Sequence, residues 1–382
     1  MEVPTGVDID ELLAPRDAPC VSLFMPAHRK GAETQQDRPR LKNLLDQAEE
    51  RLLALGLRAP DARALLQPGR DRLDEGVFWR HQGDGLAMYL APGWSRDFRL
   101  PYTLRELVVV GGRCHLRPLL EGIWPDQPFH LLALSLSGVR LFEGSRHRLE
   151  ARELPGAPKG IEDTQRFLVV EKQLHAKVGP RRDVSRAAIY HGHGAGREDE
   201  RERVVEYLRE VDRAVVNAVG RSGLPLVLAG VENVLAVYRG LTSHGKVLDG
   251  AVDGSPDDLP VDRLHATAWP LVEPVVVGRR EAALERYAEG AARGAAVTGL
   301  DEVLTAAAQA RLDTLFVAEG EHRWGWFLAE TGEVRHHDGP EPGDEDLLDR
   351  AVVETFRTGG SFFSLPLDQM PAGRTIAGLA RY

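Results

Sequence analysis

The sequence predicts an α/β protein with α+β elements, laid out as three successive segments. Two observations carry this prediction. Short alternating apolar runs broken by Gly, Asp and Pro fill much of the first 126 residues, the pattern of an antiparallel sheet. Beyond them strands alternate with helical periodicities, which calls for sheets covered by helices.

In the first segment "CVSLFMPAH" reads as a strand. The helix after it has Asp37 as its expected N-cap and Pro39 in its first turn. Leu41, Leu44, Leu45, Ala48, Leu52 and Leu55 recur behind them at helical spacing. "DARALL" suggests a second short helix. "GVFWRH", "GLAMYLAP", "RELVVVGG" and "RCHLRPLL" are expected as strands, and "WPDQP" at 124–128 as a linker.

The middle segment opens with "HLLALSLSGVRLFEG", two strands broken at Ser137-Gly138. A polar stretch from about Pro155 to Arg186 leads to a strand, "RAAIYH", and the Gly-rich turn "HGHGAGRED". A helix follows in which Val204, Leu208, Val211, Val215 and Val219 mark one face. It spans about 22 residues, roughly 33 Å. Its start carries Glu198, Asp199, Glu200 and Glu202, which suit the positive end of a helix dipole. "GLPLVLAGVE" reads as a buried strand. After the polar tract 242–260 come two helices ("AWPLVEPVVVGRREAALERYAEGAARG" and "GLDEVLTAAAQAR") and a strand, "LDTLFVAEG". A hairpin follows ("HRWGWFLAE" with "EVRHHDG"), then a helix ("DEDLLDRAVVETFRTGG") and the strands "SFFSLPL" and "TIAGLARY". The expected domains are 1–126, 127–258 and 259–382.

The 382 residues carry 48 Lys+Arg against 58 Asp+Glu, a net charge of −10. That balance opposes wholesale coating of nucleic acid but permits a local basic surface, because salt screens distant charge. Hydrophobic residues at 43% suffice for real cores. No apolar run approaches a membrane span, and the acidic first residues are unlike a secretory signal, so a cytoplasmic location with no membrane partner is expected. Cys20 and Cys114 lie in apolar stretches and read as buried hydrophobes, without His partners at zinc-finger spacing.

Four constellations bear on chemistry. The loop His191-Gly192-His193-Gly194-Ala195-Gly196-Arg197 places three glycines beside two imidazoles and a guanidinium, at the mouth of a helix whose free N–H groups can meet a phosphate. Its spacing is neither a dinucleotide fingerprint nor a phosphate loop. His191 and His193 with Glu198 or Asp199 could form a metal site, but no third ligand falls at a diagnostic position, so no metal and no cofactor are expected. His336-His337-Asp338 is expected at a solvated hairpin tip. No G-x-S-x-G elbow supports a serine hydrolase. Two basic clusters could contact phosphate: Arg29, Lys30, Arg38 and Arg40 (with His28 and Lys42), and Lys177, Arg181 and Arg182 (with Lys172).

Four stretches together resemble the bacterial branch of the archaeo-eukaryotic peptide release factor family, with relatives such as Pelota and Balon. "CVSLFMPAHRKGAETQQDRPRLKNLLDQAEERL" is similar to the opening of the bacterial members. "AIYHGHGAGREDERERVVEYLREVDRAV" with "PLVLAGVENVLAVYR" resembles their middle domain. "AAQARLDTLFVAEG", "DLLDRAVVETFRTGGSFFSLPLDQMP" and the terminal "TIAGLARY" resemble the release-factor C-terminal domain. The resemblance implies a divergent N-terminal domain, an RNase H-like middle domain, and a C-terminal α/β domain similar to the ribosomal-protein fold that binds kinked RNA. It also implies a ribosome partner (rRNA and tRNA), with a translational GTPase as a further one and no DNA. Release factors carry a Gly-Gly-Gln loop ahead of a long helix, where glycines permit unusual backbone angles and the amide orients the attack of water. Here that place is held by His191–Arg197. Gly111-Gly112 precedes Arg113 and Gly359-Gly360 precedes Ser361, so the tripeptide is absent. The expected role is A-site binding in hibernation or stalled-ribosome handling without hydrolysis. The alternatives are peptidyl-tRNA hydrolysis with His193 as general base and a metal-dependent hydrolase.

Overall fold

The computed structural model describes residues 4, 6–14, 16, 18–123, 128–163 and 195–381, with 6 and 195–199 given by backbone alone. The chain forms two compact units: 1–125 with 279–382, and 126–278.

The N-terminal part of the first unit contains α1 (Gly6–Leu13), β1 (Cys20–Pro26), α2 (Thr34–Ala54), α3 (Ala59–Asp74), α4 (Gly76–Arg80), β2 (Gly85–Ala91), β3 (Trp94–Leu100), β4 (Leu107–Gly111) and α5 (Arg117–Ile123). Its sheet has the order β3-β2-β1-β4 and is antiparallel throughout. Alternate residues of β1 serve two cores. Val21, Leu23 and Met25 meet the Leu41, Leu44, Leu45, Ala48 and Leu52 face of α2. Cys20 and Phe24 enter a core shared with the chain's C-terminal part.

Several expectations fail here. "GVFWRH" lies in helix α4 rather than a strand, because Phe78 anchors one side of a single turn and Trp79 donates its indole N–H to the Arg72 carbonyl at 2.7 Å. "RCHLRPLL" ends in helix α5, whose entry is fixed by Asp349. β3 comes from "WSRDFRL", whose mixed burial obscured the period-two signal. Asp37 is not the cap of α2, which begins at Thr34. It lies inside the first turn and accepts from the His28 N–H at 2.9 Å.

The second unit holds β5 (Phe129–Leu134), β6 (Val139–Gly144), β7 (Leu149–Arg152), α6 (Ala195–Val219), β8 (Leu226–Gly230), α7 (Glu232–Leu241), β9 (Val247–Asp253) and the first part of α8 (Val261–Ala292). The sheet order is β7-β6-β5-β8-β9, with β5, β8 and β9 parallel and β6 and β7 antiparallel. This is the strand order of an RNase H-like sheet. The polar tract 242–260 thus contains the fifth strand. Leu264, Ala268 and Val272 of α8 pack on one face of the sheet, and Tyr207, Leu208, Val211 and Val215 of α6 on the other.

The rest of the first unit contains β10 (Ala296–Val297), α9 (Leu300–Ala308), β11 (Leu312–Ala318), β12 (Trp324–Leu328), β13 (Glu333–His337), β14 (Glu345–Asp346), α10 (Leu347–Arg357), β15 (Ser361–Leu365) and β16 (Ile376–Ala380). One sheet runs β10-β16-β11-β15, with β11 and β15 parallel. A smaller one runs β13-β12-β14. The mixed α/β class therefore stands. Leu304, Leu315, Leu348 and Val352 join Phe24, Tyr89 and Leu119 in one core, so the first and last parts of the chain fold against each other.

Candidate functional site

The loop singled out by sequence, His191 to Gly194, lies outside the described residues, as do Lys172, Lys177, Arg181 and Arg182. Of Gly196 and Arg197 the structure gives only the helical backbone of α6. What can be built is the helical platform that follows in sequence. α6 runs 25 residues, Ala195–Val219, about 37 Å at 1.5 Å per residue.

Two polar clamps fix α6 on its sheet. The Tyr207 hydroxyl donates to the Ser135 carbonyl at 2.9 Å, and burial pushes that phenol up to about 12. Asp212, nearly buried, accepts from Thr242 Oγ1 (2.6 Å), Ser243 Oγ (2.8 Å), the Ser243 N–H (3.1 Å) and the Tyr238 hydroxyl (3.2 Å). One carboxylate thus joins α6 to the end of α7 and the turn beyond it. A buried acceptor supplied with four donors recovers its desolvation cost. The helix is pinned from its middle onward.

The first basic cluster sits around the start of α2. Asp37, buried, takes the His28 ring Nδ1 at 2.8 Å and Arg40 at 3.3 Å, and Arg40 Nε also reaches Glu106 at 2.6 Å. Arg29 pairs with Asp84 at 2.7 Å, and Lys42 with Asp46 at 2.7 Å. Lys30 and Arg38 are exposed and have no ion pair among the described residues. The cluster is real in space, but acids already hold most of its charge. His336 and His337 lie at the end of β13, away from the hairpin turn, and bond Asp301 (2.6 Å) and Asp344 (2.9 Å).

Sequence reasoning missed a buried polar seam in the first unit. Asp349 of α10 accepts the Leu116 and Arg117 N–H groups on one oxygen, Oδ1, at 2.7 and 2.5 Å. His115 Nδ1 stands 3.6 Å from the same oxygen. Asp346 caps α10 through the Leu348 N–H and takes His322 Nδ1 at 2.8 Å. Burial, with the Asp346 charge beside it, pushes Asp349 up to about 7. Burial drives His115 down to about 3. For Asp346 burial acts upward, yet the His322 hydrogen bond and the Arg117 charge hold its carboxyl below the ordinary range. His115, Asp346 and Asp349 are buried, and the seam joins the segment before α5 to α10. Asp346, placed just ahead of the helical run that begins at Leu347, is the local signal that could have pointed to part of it.

A long helix laid across an RNase H-like sheet in the second unit, with the first unit built from both ends of the chain, defines a multi-part α/β protein. Residues 128–311 match the family described as bacterial archaeo-eukaryotic release factor family 3. No curated protein matches it. Among solved structures it is similar to the archaeal translation termination factor aRF1 (15% identity, 98% of this chain and 96% of that one, TM-score 0.25). It is similar to Archaeoglobus fulgidus Pelota at 16% identity, with 78% and 79% covered and a TM-score of 0.27. S. cerevisiae Dom34, described as interacting with Hbs1, shows 11% identity, 78% and 79% coverage and a TM-score of 0.35. Among the described residues no helix is long and apolar enough to cross a membrane.

Proposed function

We propose that this protein binds the A-site region of the ribosome, in hibernation or in handling stalled ribosomes, and does not itself hydrolyse peptidyl-tRNA. The carrying observation is a chain that matches a bacterial archaeo-eukaryotic release factor family over residues 128–311 and whose sequence contains no Gly-Gly-Gln. The helix that would carry that tripeptide's loop is kept and clamped by Tyr207 and Asp212. In this reading segments 1–126, 127–258 and 259–382 act as functional domains in the cytoplasm. The loop His191–Arg197 reaches toward the peptidyl transferase centre, and Lys30, Arg38, Lys177, Arg181 and Arg182 contact rRNA phosphates. Delivery by a translational GTPase belongs to the same reading.

Two measurements test it. Sedimentation of the protein with ribosomes across a salt series should show binding that weakens steeply as salt rises, as phosphate contacts require. A peptidyl-release assay on loaded ribosomes should show no release at saturating protein. Release abolished by His193→Ala would establish hydrolysis instead, and failure to sediment with ribosomes at low salt would end the proposal.

A further inference from the structure

The two cysteines are 94 positions apart in sequence, yet their sulfurs lie 2.8 Å from each other. Cys20 is the first residue of β1, the strand that lies between β2 and β4, and Cys114 follows β4 by three residues. The backbone brings them together: Cys20 is paired with Gly111 across the sheet, and the chain then turns back so that the His115 N–H bonds Ser22 Oγ at 3.0 Å. Reading each thiol as an independent hydrophobe accounts for their burial but not for this pairing. Arg16 makes the site a built one. Its guanidinium bonds the carbonyls of Leu12, Ala14 and Glu11 at 3.3, 3.1 and 3.0 Å and lies 4.0 Å over the Trp94 ring. From there its Nη1 reaches Cys114 Sγ at 3.5 Å. A cation fixed beside two thiols favours a thiolate on the pair. The hydrogen bond from Cys114 and the Arg16 charge lower the Cys20 thiol, while burial opposes them. Cys114, as the donor, is raised.

We propose that Cys20 and Cys114 form a reversible redox site that hydrogen peroxide converts to an intramolecular disulfide. The sulfurs need approach by only about 0.8 Å to reach the bond length of about 2.05 Å. The thiolate attacks one peroxide oxygen, so that an S–O bond forms, the O–O bond breaks and hydroxide leaves, to be protonated to water. The second thiol gives up its proton and attacks the resulting sulfenic sulfur. The S–S bond forms, the S–O bond breaks and a second water leaves. The two sulfurs together lose two electrons and the peroxide gains two. Cys20 is fully buried and Cys114 is 5% exposed, so a small peroxide reaches the Cys20 sulfur from the Cys114 side. The bond would lock the segment 114–117, whose amides hold Asp349, onto the first residue of β1. In a reducing compartment such a pair acts as a sensor rather than a scaffold.

The test uses the reduced full-length chain treated with a graded series of hydrogen peroxide, quenched by alkylation after denaturation and mapped by peptide mass. The expected result is a monomer that loses two hydrogen atoms in mass and both alkylation sites, with Cys20 and Cys114 peptides linked and the change reversed by dithiothreitol. In Cys114→Ala, Cys20 should instead advance to the sulfinic or sulfonic state. The unmutated chain decides alone if that variant does not fold. Two alkylatable thiols at doses that oxidise a buried reference thiol, or stepwise oxygen addition with no linked peptide, would overturn the proposal.

Discussion

Asp212 in the second unit and Asp349 in the first are both buried carboxylates on helices, and the fold treats them in opposite ways. Asp212 receives four hydrogen bonds, three from hydroxyls and one from an N–H. Asp349 receives two amide bonds on one oxygen, and its neighbour Asp346 is a second buried acid. The first is therefore a clamp that gathers four donors from α7 and the turn beyond it. The second is held up to about 7 by burial and the nearby charge, and works best carrying a proton. Burial alone does not decide what a carboxylate does; the donors facing it do.

The largest effect expected from breaking this contrast is at Asp212. Asp212→Ala leaves the Tyr238, Thr242 and Ser243 donors without their acceptor where α6 meets α7. Each orphaned buried donor costs about 1–3 kcal/mol, and hydroxyl rotation and water entry offset part of that. A net loss of about 3 kcal/mol is expected, read as a lower denaturant midpoint. A loss under about 0.5 kcal/mol would show that the clamp is redundant.

Asp349→Asn should do the reverse. The amide oxygen can keep both N–H bonds, and the NH2 group stands where the protonated oxygen stood. Because the folded pKa is raised from 3.8 to about 7, folding binds a proton. The unmutated chain holds this stability in full below about pH 4 and loses it as pH rises toward 7. The amide of the variant carries no charge at any pH. The shift from 3.8 to about 7 sets an upper limit of about 4 kcal/mol, which water entry beside the charged form reduces. Asp349→Asn should therefore exceed the unmutated chain by roughly 2 kcal/mol at pH 8, the gap closing as pH falls. His115 acts oppositely. With its folded pKa lowered to about 3, its contribution is lost as pH falls from about 6.5 to 3. In the unmutated chain the two trends partly offset between about pH 4 and 6.5. In the variant only the His115 loss remains, so thermal melts should fall more steeply on acidification. Equal slopes for both proteins would remove Asp349 from the account.

How far these features could be read in advance depends on whether the signal is local. The face of α6 was legible because Val204, Leu208, Val211 and Val215 repeat at helical spacing. β5 and β6 were legible because the Ser137-Gly138 break interrupts an apolar run. The seam was not, because Leu116 and Asp349 are 233 positions apart and meet only after two parts of the chain share a core. The cysteine pair was invisible for the same reason. α4 was misread because five residues hold too little periodicity to separate a helical turn from a strand. The long helix α8 was readable despite Pro270 and Pro274 because the apolar and helix-forming residues around them continue the pattern.

Carboxylate partners also sort the basic cluster of α2, and here the expected effects are smallest in stability and sharpest in binding. Arg40 is shared between Asp37 and Glu106, so Arg40→Ala should cost on the order of 1 kcal/mol of stability and change ribosome affinity little. Lys30 and Arg38 make no ion pair among the described residues and have charge to spare for phosphate. The double variant Lys30→Ala/Arg38→Ala should melt within about 0.5 kcal/mol of the unmutated chain. Its slope of log affinity against log salt in ribosome sedimentation should be shallower by about one per contact removed. A slope unchanged in the double variant but reduced by Arg40→Ala would mean that ribosome contact breaks the acid pairs and uses the residues they hold.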